Sequence, residues 1–253
     1  MINYAKLMTM AALLRKQLGE DSSSPVDIIA LAQRIDGLTI VYYPLGDNLS
    51  GMCIKSQNGN NVIAINSAMT LGRQRFSMAH EFYHLYYDDS MISVCAKKID
   101  SGKEIERGAD MFASYFLMPD AALVMLADEL KEKNADHRLT LNEMIRIEQY
   151  FGVSHQAAVY RLLHTPYLND EEANNLLNLS VRSTAESLGY SSDLYCPSAE
   201  AKRYKTYGNY ISQAEQLFSR GLISSGKHEE LMLDAFRSDL VYGDDDEGGD
   251  VID

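Results

Sequence analysis

His80-Glu81-Phe82-Tyr83-His84 sets two imidazoles four residues apart with a carboxylate between them. On a helix of about 3.6 residues per turn, positions four apart lie roughly 6 Å from each other on one face, so two ring nitrogens can meet one ion. Glu81 falls about 100° further round, poorly placed as a third ligand but within reach of a water beside the metal, where a general base belongs. Phe76, Ala79, Tyr83 and Tyr87 share the histidine face, which predicts an inward-packed helix and a partly dry site. The bland alternative is an amphipathic helix that carries these residues by chance, and a carboxylate downstream weighs against it.

That carboxylate is Glu106, in a second helical stretch that is apolar at Ala109, Phe112, Ala113 and Phe116 and is stopped by Pro119. Two histidines and a glutamate with an open fourth position form a known catalytic zinc set. Asp110, one turn after Glu106, is positioned to accept the other ring proton of a ligating histidine. Glu104 is the rival ligand, but Gly108 stands where its helper carboxylate would be.

The elements that must position these groups are legible on either side. Residues 4 to 18 read as a helix, and Ser24-Pro25 starts another through about Ile35, with Ser24 as N-cap. Strands follow at 38–44, 50–55 and 62–66, the last two joined around Asn58-Gly59, a hairpin signal. An edge strand of that sheet would take an extended peptide by backbone pairing, or the hairpin is purely structural. After Pro119, Asp120 caps a helix to about Lys133, and Thr140 with Glu143 forms a capping box for one through Tyr150. Ser154 starts another short helix, so residues 139 to 163 look like a helix-turn-helix, with His155 and His164 as turn or surface residues. Residues 169 to 239 read as helical, with breaks near Gly189, Pro197 and Gly221.

Arg73-x-Arg75-Phe76-x-x-Ala79-His80-Glu81-x-x-His84, Glu106-x-x-Ala109-Asp110-x-Phe112-Ala113 and Leu117-Met118-Pro119 together resemble the ImmA/IrrE metallo-endopeptidases. The likeness covers about residues 24 to 165. Tyr83 stands where many members have Gly, and Asp110 where Asn is common. The resemblance implies that His80, His84 and Glu106 hold one zinc ion, or another divalent ion such as manganese, and that Glu81 activates water. It also implies cleavage of a partner helix-turn-helix repressor in stress, phage, mobile-element or defence control. The expected fold is α+β and mostly helical, with a small antiparallel sheet packed on zincin-type active-site helices, then a helix-turn-helix-like segment and a helical C-terminal region. The corresponding divisions are residues 1–135, 136–168, 169–242 and an acidic, disordered tail at 243–253.

Composition limits the alternatives. The 253 residues are 46% hydrophobic and carry a net charge of −13. Removing the six acids of the tail leaves 30 acidic residues against 23 basic, so the body is still acidic and phosphate backbones are repelled. A DNA-binding regulator built on residues 139–163 is therefore disfavoured, and nucleic acid would at most regulate. A non-cleaving module that only holds a repressor is the other alternative, and the intact His80, Glu81, His84 and Glu106 argue against it. Cys53, Cys95 and Cys196 are odd in number and widely spaced, which points to a reducing cytoplasm rather than a disulfide framework. No apolar run is long enough for a membrane span.

Two expectations concern the finer chemistry. Tyr83, Tyr115 and His155 are candidates to steady the oxyanion. Cys95 lies eleven residues after His84 and eleven before Glu106, in a connection read as a flexible loop from Asp88 to Lys103, with Lys97 and Lys98 nearby. A thiolate there would close the fourth position of the metal and silence the site, unless Cys95 is simply a small buried residue.

Overall fold

The computed structural model describes residues 2–96, 104–134 and 138–243. Lys97, Lys98, Lys103 and the acidic tail from 244 onward, all named in the sequence analysis, lie outside them. In chain order the elements are α1 (Tyr4–Gln17), α2 (Ile28–Gln33), β1 (Leu38–Tyr43), β2 (Leu49–Ile54), β3 (Asn61–Asn66), α3 (Leu71–Tyr87), β4 (Ile92–Ala96), α4 (Glu104–Leu117) and α5 (Asp120–Lys133). Then come α6 (Leu141–Phe151), α7 (His155–Leu163), α8 (Asp170–Leu177), α9 (Val181–Ser187), β5 (Lys205–Gly208), α10 (Asn209–Ser219), α11 (Ser225–Asp234) and α12 (Ser238–Tyr242), with short 3-10 turns before β5. The fold is α+β, as expected.

The sheet is mixed rather than antiparallel, in the order β4-β2-β3-β1-β5. β2 and β3 do form the expected hairpin, but β1 lies beyond β3 and runs parallel to it, Leu38 opposite Asn61 through Tyr43 opposite Asn66. The chain crosses from β1 past β3 to reach β2, and the buried Asn66 side chain holds that crossing. Its amide donates to the carbonyls of Gly46 and Leu49, and its oxygen accepts from Leu45 N–H. Two strands went unread. β4 occupies part of the connection taken for a loop, and β5 interrupts the stretch read as helical, pairing antiparallel with β1. Four residues that complete a sheet from more than a hundred positions away carry too short a pattern to stand out.

The second helix starts later than its Ser-Pro signal. Asp27, not Ser24, is the N-cap of α2, its carboxylate accepting from Ile29 and Ala30 N–H. Segment 24–26 stays outside the helix because its carbonyls have other donors: Arg15 Nη2 donates to Ser24 O and Arg75 Nη2 to Val26 O.

One core runs under the sheet and through the helices. α3 packs across β2 and β3, α4 packs on α3, and α1 on α4. Phe82 meets Phe116 edge-on at 5.8 Å, so the two site-bearing helices share an aromatic seam. α6 has the predicted Thr140–Glu143 capping box and ends at Gly152, whose φ of 65° is left-handed. A Cβ at Gly152 would also press on the Arg75 guanidinium, which donates from Nε to Gly152 O.

The turn into α7 is more tightly bound than its sequence suggests. His155 is not a free turn residue: Nδ1 lies 2.6 Å from the Glu148 carboxylate, which is 0% exposed, and Nε2 lies 3.0 Å from Leu176 O. This pair ties α6, α7 and α8 together, burial raising the carboxyl of Glu148 and its bond to His155 opposing that rise. Arg161 is likewise buried, its guanidinium 4.5 Å over the Tyr115 ring. His164 is exposed, against Tyr4. Leaving a buried carboxylate without its partner is costly, so His155→Ala should lower unfolding stability by about 3–5 kcal/mol in urea denaturation. A loss below about 1 kcal/mol would show that the pair does not clamp these helices.

Candidate metal centre

α3 and α4 bring three of the expected ligands to one point. His80 Nε2 and His84 Nε2 face each other at 3.2 Å. Glu106, from the first turn of α4, puts Oε2 3.4 Å from His80 Nε2 and Oε1 3.7 Å from His84 Nε2. With zinc-to-nitrogen bonds of about 2.0–2.1 Å, the edge of a tetrahedral ligand set is roughly 3.3–3.4 Å, so these separations fit one ion at a shared centre. Glu104, the rival, is exposed and outside the cluster.

Each imidazole is held from behind. Asp110 Oδ1 lies 2.8 Å from His80 Nδ1, as the spacing from Glu106 predicts. Asp88 Oδ2 lies 2.8 Å from His84 Nδ1 in the same way, and this residue escaped the sequence reading. The signal was there, because Asp88 follows His84 by one turn just as Asp110 follows Glu106. With both Nδ1 atoms engaged, both Nε2 atoms are turned to the cluster.

The protonation pattern follows from crowding. Burial disfavours charge on His80, yet its bonds to Asp110, Cys95 and Glu106 outweigh this and hold it well above the ordinary histidine value. His84 is pushed down, by burial and then by the neighbouring His80 charge. The His80 bond keeps the Glu106 carboxyl below its ordinary range.

Glu81 lies against the sheet at β2. It is 0% exposed, neither carboxylate oxygen has a hydrogen-bond partner, and burial pushes its carboxyl up to about 7. It fits there because β2 carries a glycine: a Cβ at Gly51 would come within 2.6 Å of Glu81 Oε1. Gly51 was also missed, although an isolated glycine inside a strand marks a close approach. An orphaned buried carboxylate is expensive unless it meets a proton or a water, which is the state a general base occupies before reaction.

Cys95 lies opposite Gly51 in the β2–β4 register, hence on the same face of the sheet. It is fully buried, and its ligand atom joins those of His80, His84 and Glu106 within 4.8 Å of one another. Burial drives its thiol up to about 12. The three oxyanion candidates fare differently. Tyr83 lies edge-on to the His84 ring at 5.8 Å, whereas Tyr115 sits under Arg161 and His155 is committed to Glu148.

Comparison with known proteins adds a family. The model of the IrrE N-terminal-like domain, a peptidase family, matches residues 35–163. No curated protein matches the chain. Among solved structures, a Mycobacterium tuberculosis transcriptional regulator is similar at 16% identity and a TM-score of 0.44, over 66% of this chain and 49% of that one. The chain therefore spans about half the length of that regulator.

The ligand geometry makes a direct forecast. The purified chain should bind one zinc ion per molecule, and His80→Ala, His84→Ala or Glu106→Ala should abolish stoichiometric binding in elemental analysis. Asp110→Ala and Asp88→Ala should retain it with affinity reduced roughly 10- to 100-fold in chelator competition. Full affinity in Glu106→Ala would mean that the third ligand lies elsewhere.

Proposed function

Since the chain belongs to the IrrE N-terminal-like family of metallopeptidases, we propose that it is a zinc-dependent endopeptidase that cuts a helix-turn-helix repressor in the cytoplasm. The observation that carries this reading is the placement of an orphaned, buried Glu81 beside three ligand groups at tetrahedral spacing. Zinc, when bound, supplies Lewis-acid polarisation and an acidified water. Asp110 and Asp88 fix the imidazole tautomers that point both Nε2 atoms at the ion. Glu81 accepts the proton of the attacking water and hands it to the departing amine.

The substrate would lie along β4. This strand ends the sheet on the site side, and Ile92 and Val94 are 61% and 51% exposed. Backbone pairing there would seat an extended peptide across the metal with little dependence on side chains. The acidic chain attracts a basic DNA-binding protein, so association should slow as salt rises, screening taking hold beyond about 8 Å at physiological ionic strength.

Cys95 is assigned here as an inhibitory ligand at the fourth position. Its burial among His80, His84 and Glu106 supports this.

Two outcomes test the catalytic reading. Glu81→Gln should keep its zinc and lose cleavage of any helix-turn-helix repressor that the unaltered chain cuts, and Gly51→Ala should do the same by displacing that carboxylate. A fully active Glu81→Gln chain would rule out the assigned base. For Cys95, the cobalt-loaded chain should show a sulfur-to-metal charge-transfer band that Cys95→Ser lacks, and Cys95→Ser should raise basal cleavage at unchanged metal content. Identical spectra in the two chains would remove Cys95 from the metal.

A further inference from the structure

A cavity of about 150 Å³ lies behind the metal centre, between α4 and α7 and under the start of α1. It shares Phe76 and Asp110 with a far smaller one that touches His80, and Asp110 is the residue hydrogen-bonded to His80 Nδ1. The cavity is thus one side chain away from a metal ligand. Sites for drug-sized ligands usually run to about 300 Å³ or more, so this volume suits a single amino-acid side chain rather than a cofactor.

Its lining is chemically two-sided. Phe76, Met111 and Tyr160 give apolar and aromatic walls, while Arg107 and Arg161 bring two guanidinium groups. Among the lining residues, two arginines stand against the single carboxylate of Asp110. Arg161 is also incompletely used by the fold. Its Nη2 donates to Asp120, which does not line the cavity, and reaches the Met118 carbonyl at 3.5 Å, whereas the buried Nε has no partner. A buried donor without an acceptor costs stability unless something supplies one.

We infer that this cavity is a specificity pocket that takes an acidic side chain, glutamate foremost, from the substrate residue next to the scissile bond. The inference rests on the peptidase reading above and adds to it which residue is admitted. A glutamate stem would lie along Phe76, Met111 and Tyr160, and its carboxylate would meet Arg107 and Arg161. A lysine in the same place would face like charge, and a leucine would leave the buried Arg161 Nε without an acceptor. A basic repressor would then be cut only where an acidic residue interrupts its basic surface.

Two measurements separate the pocket from the catalysis. First, the zinc-loaded full-length chain is titrated with the N-acetyl amides of glutamate, glutamine, leucine and lysine, followed by NMR line broadening and competition. The glutamate probe should bind at least about tenfold more tightly than the others. Arg107→Gln, at an exposed position that the fold tolerates, should erase this preference, as should Arg161→Met where that chain folds. Second, a peptide library digested by the same protein should show glutamate enriched beside the cut, with the enrichment lost in Arg107→Gln. Equal binding of glutamate and glutamine, or a preference for leucine or lysine in either measurement, would overturn the inference. A library left uncut, with glutamate binding intact, would count against the peptidase reading and leave the pocket standing.

Discussion

Two imidazole nitrogens held 3.2 Å apart in a buried site set the terms for the rest of the molecule. Nitrogen lone pairs at that separation need a cation or a proton between them, and burial removes the water that would otherwise soften the contact. The arrangement persists because each ring is fixed from behind by a carboxylate, Asp110 for His80 and Asp88 for His84. Asp110 arrives on a different helix, so the packing of α4 on α3 must be accurate to a hydrogen-bond length. The aromatic seam of Phe82, Phe112 and Phe116, fully buried and close-packed, supplies that accuracy.

The same demand reaches into the sheet. Glu81 follows His80 directly, so fixing the histidine commits the glutamate to a direction, and that direction is toward β2. A carboxylate there needs a strand position with no side chain, which Gly51 provides, and the register then leaves Cys95 of β4 as the side chain on that face beside it. Ligand geometry, the glycine in β2 and the cysteine in β4 are therefore linked steps of one constraint rather than separate features. The proposed roles of Glu81 as base and Cys95 as closing ligand draw on that linkage.

What could be read from the sequence was what helical periodicity encodes locally. His80 with His84, and Glu106 with Asp110, are pairs one turn apart, and the structure brings Glu106 to both histidines from α4. The Thr140–Glu143 box and the Ser154 cap are equally local, and both form. The features that escaped are settled by pairing across distance. The parallel run of β1 with β3 depends on how Asn66 secures a crossing, β5 gains its hydrogen bonds from a strand more than 160 residues earlier, and His155 and Arg161 are buried by helices whose arrival no local pattern announces. Asp88 is the instructive exception: it follows His84 by one helical turn, a spacing as local as that of Glu106 and Asp110.

Closure of the sheet also bears on where a peptide can be received. An exposed strand edge invites pairing with other chains and is usually covered or blunted. At one side β5 is covered: Arg237 donates to Thr206 O, and Asp239 holds both Arg237 and Lys205. At the other side no strand pairs with the outer edge of β4 among the described residues, and it presents Ile92 and Val94 to solvent. The C-terminal region thus protects the edge remote from the metal and leaves the edge beside it open. An apolar strand left open next to a buried glutamate and a ligand cluster is a liability that ordinary selection for solubility would remove. On the proposed reading its retention has a cause, because the open edge is where the peptide to be cut must lie.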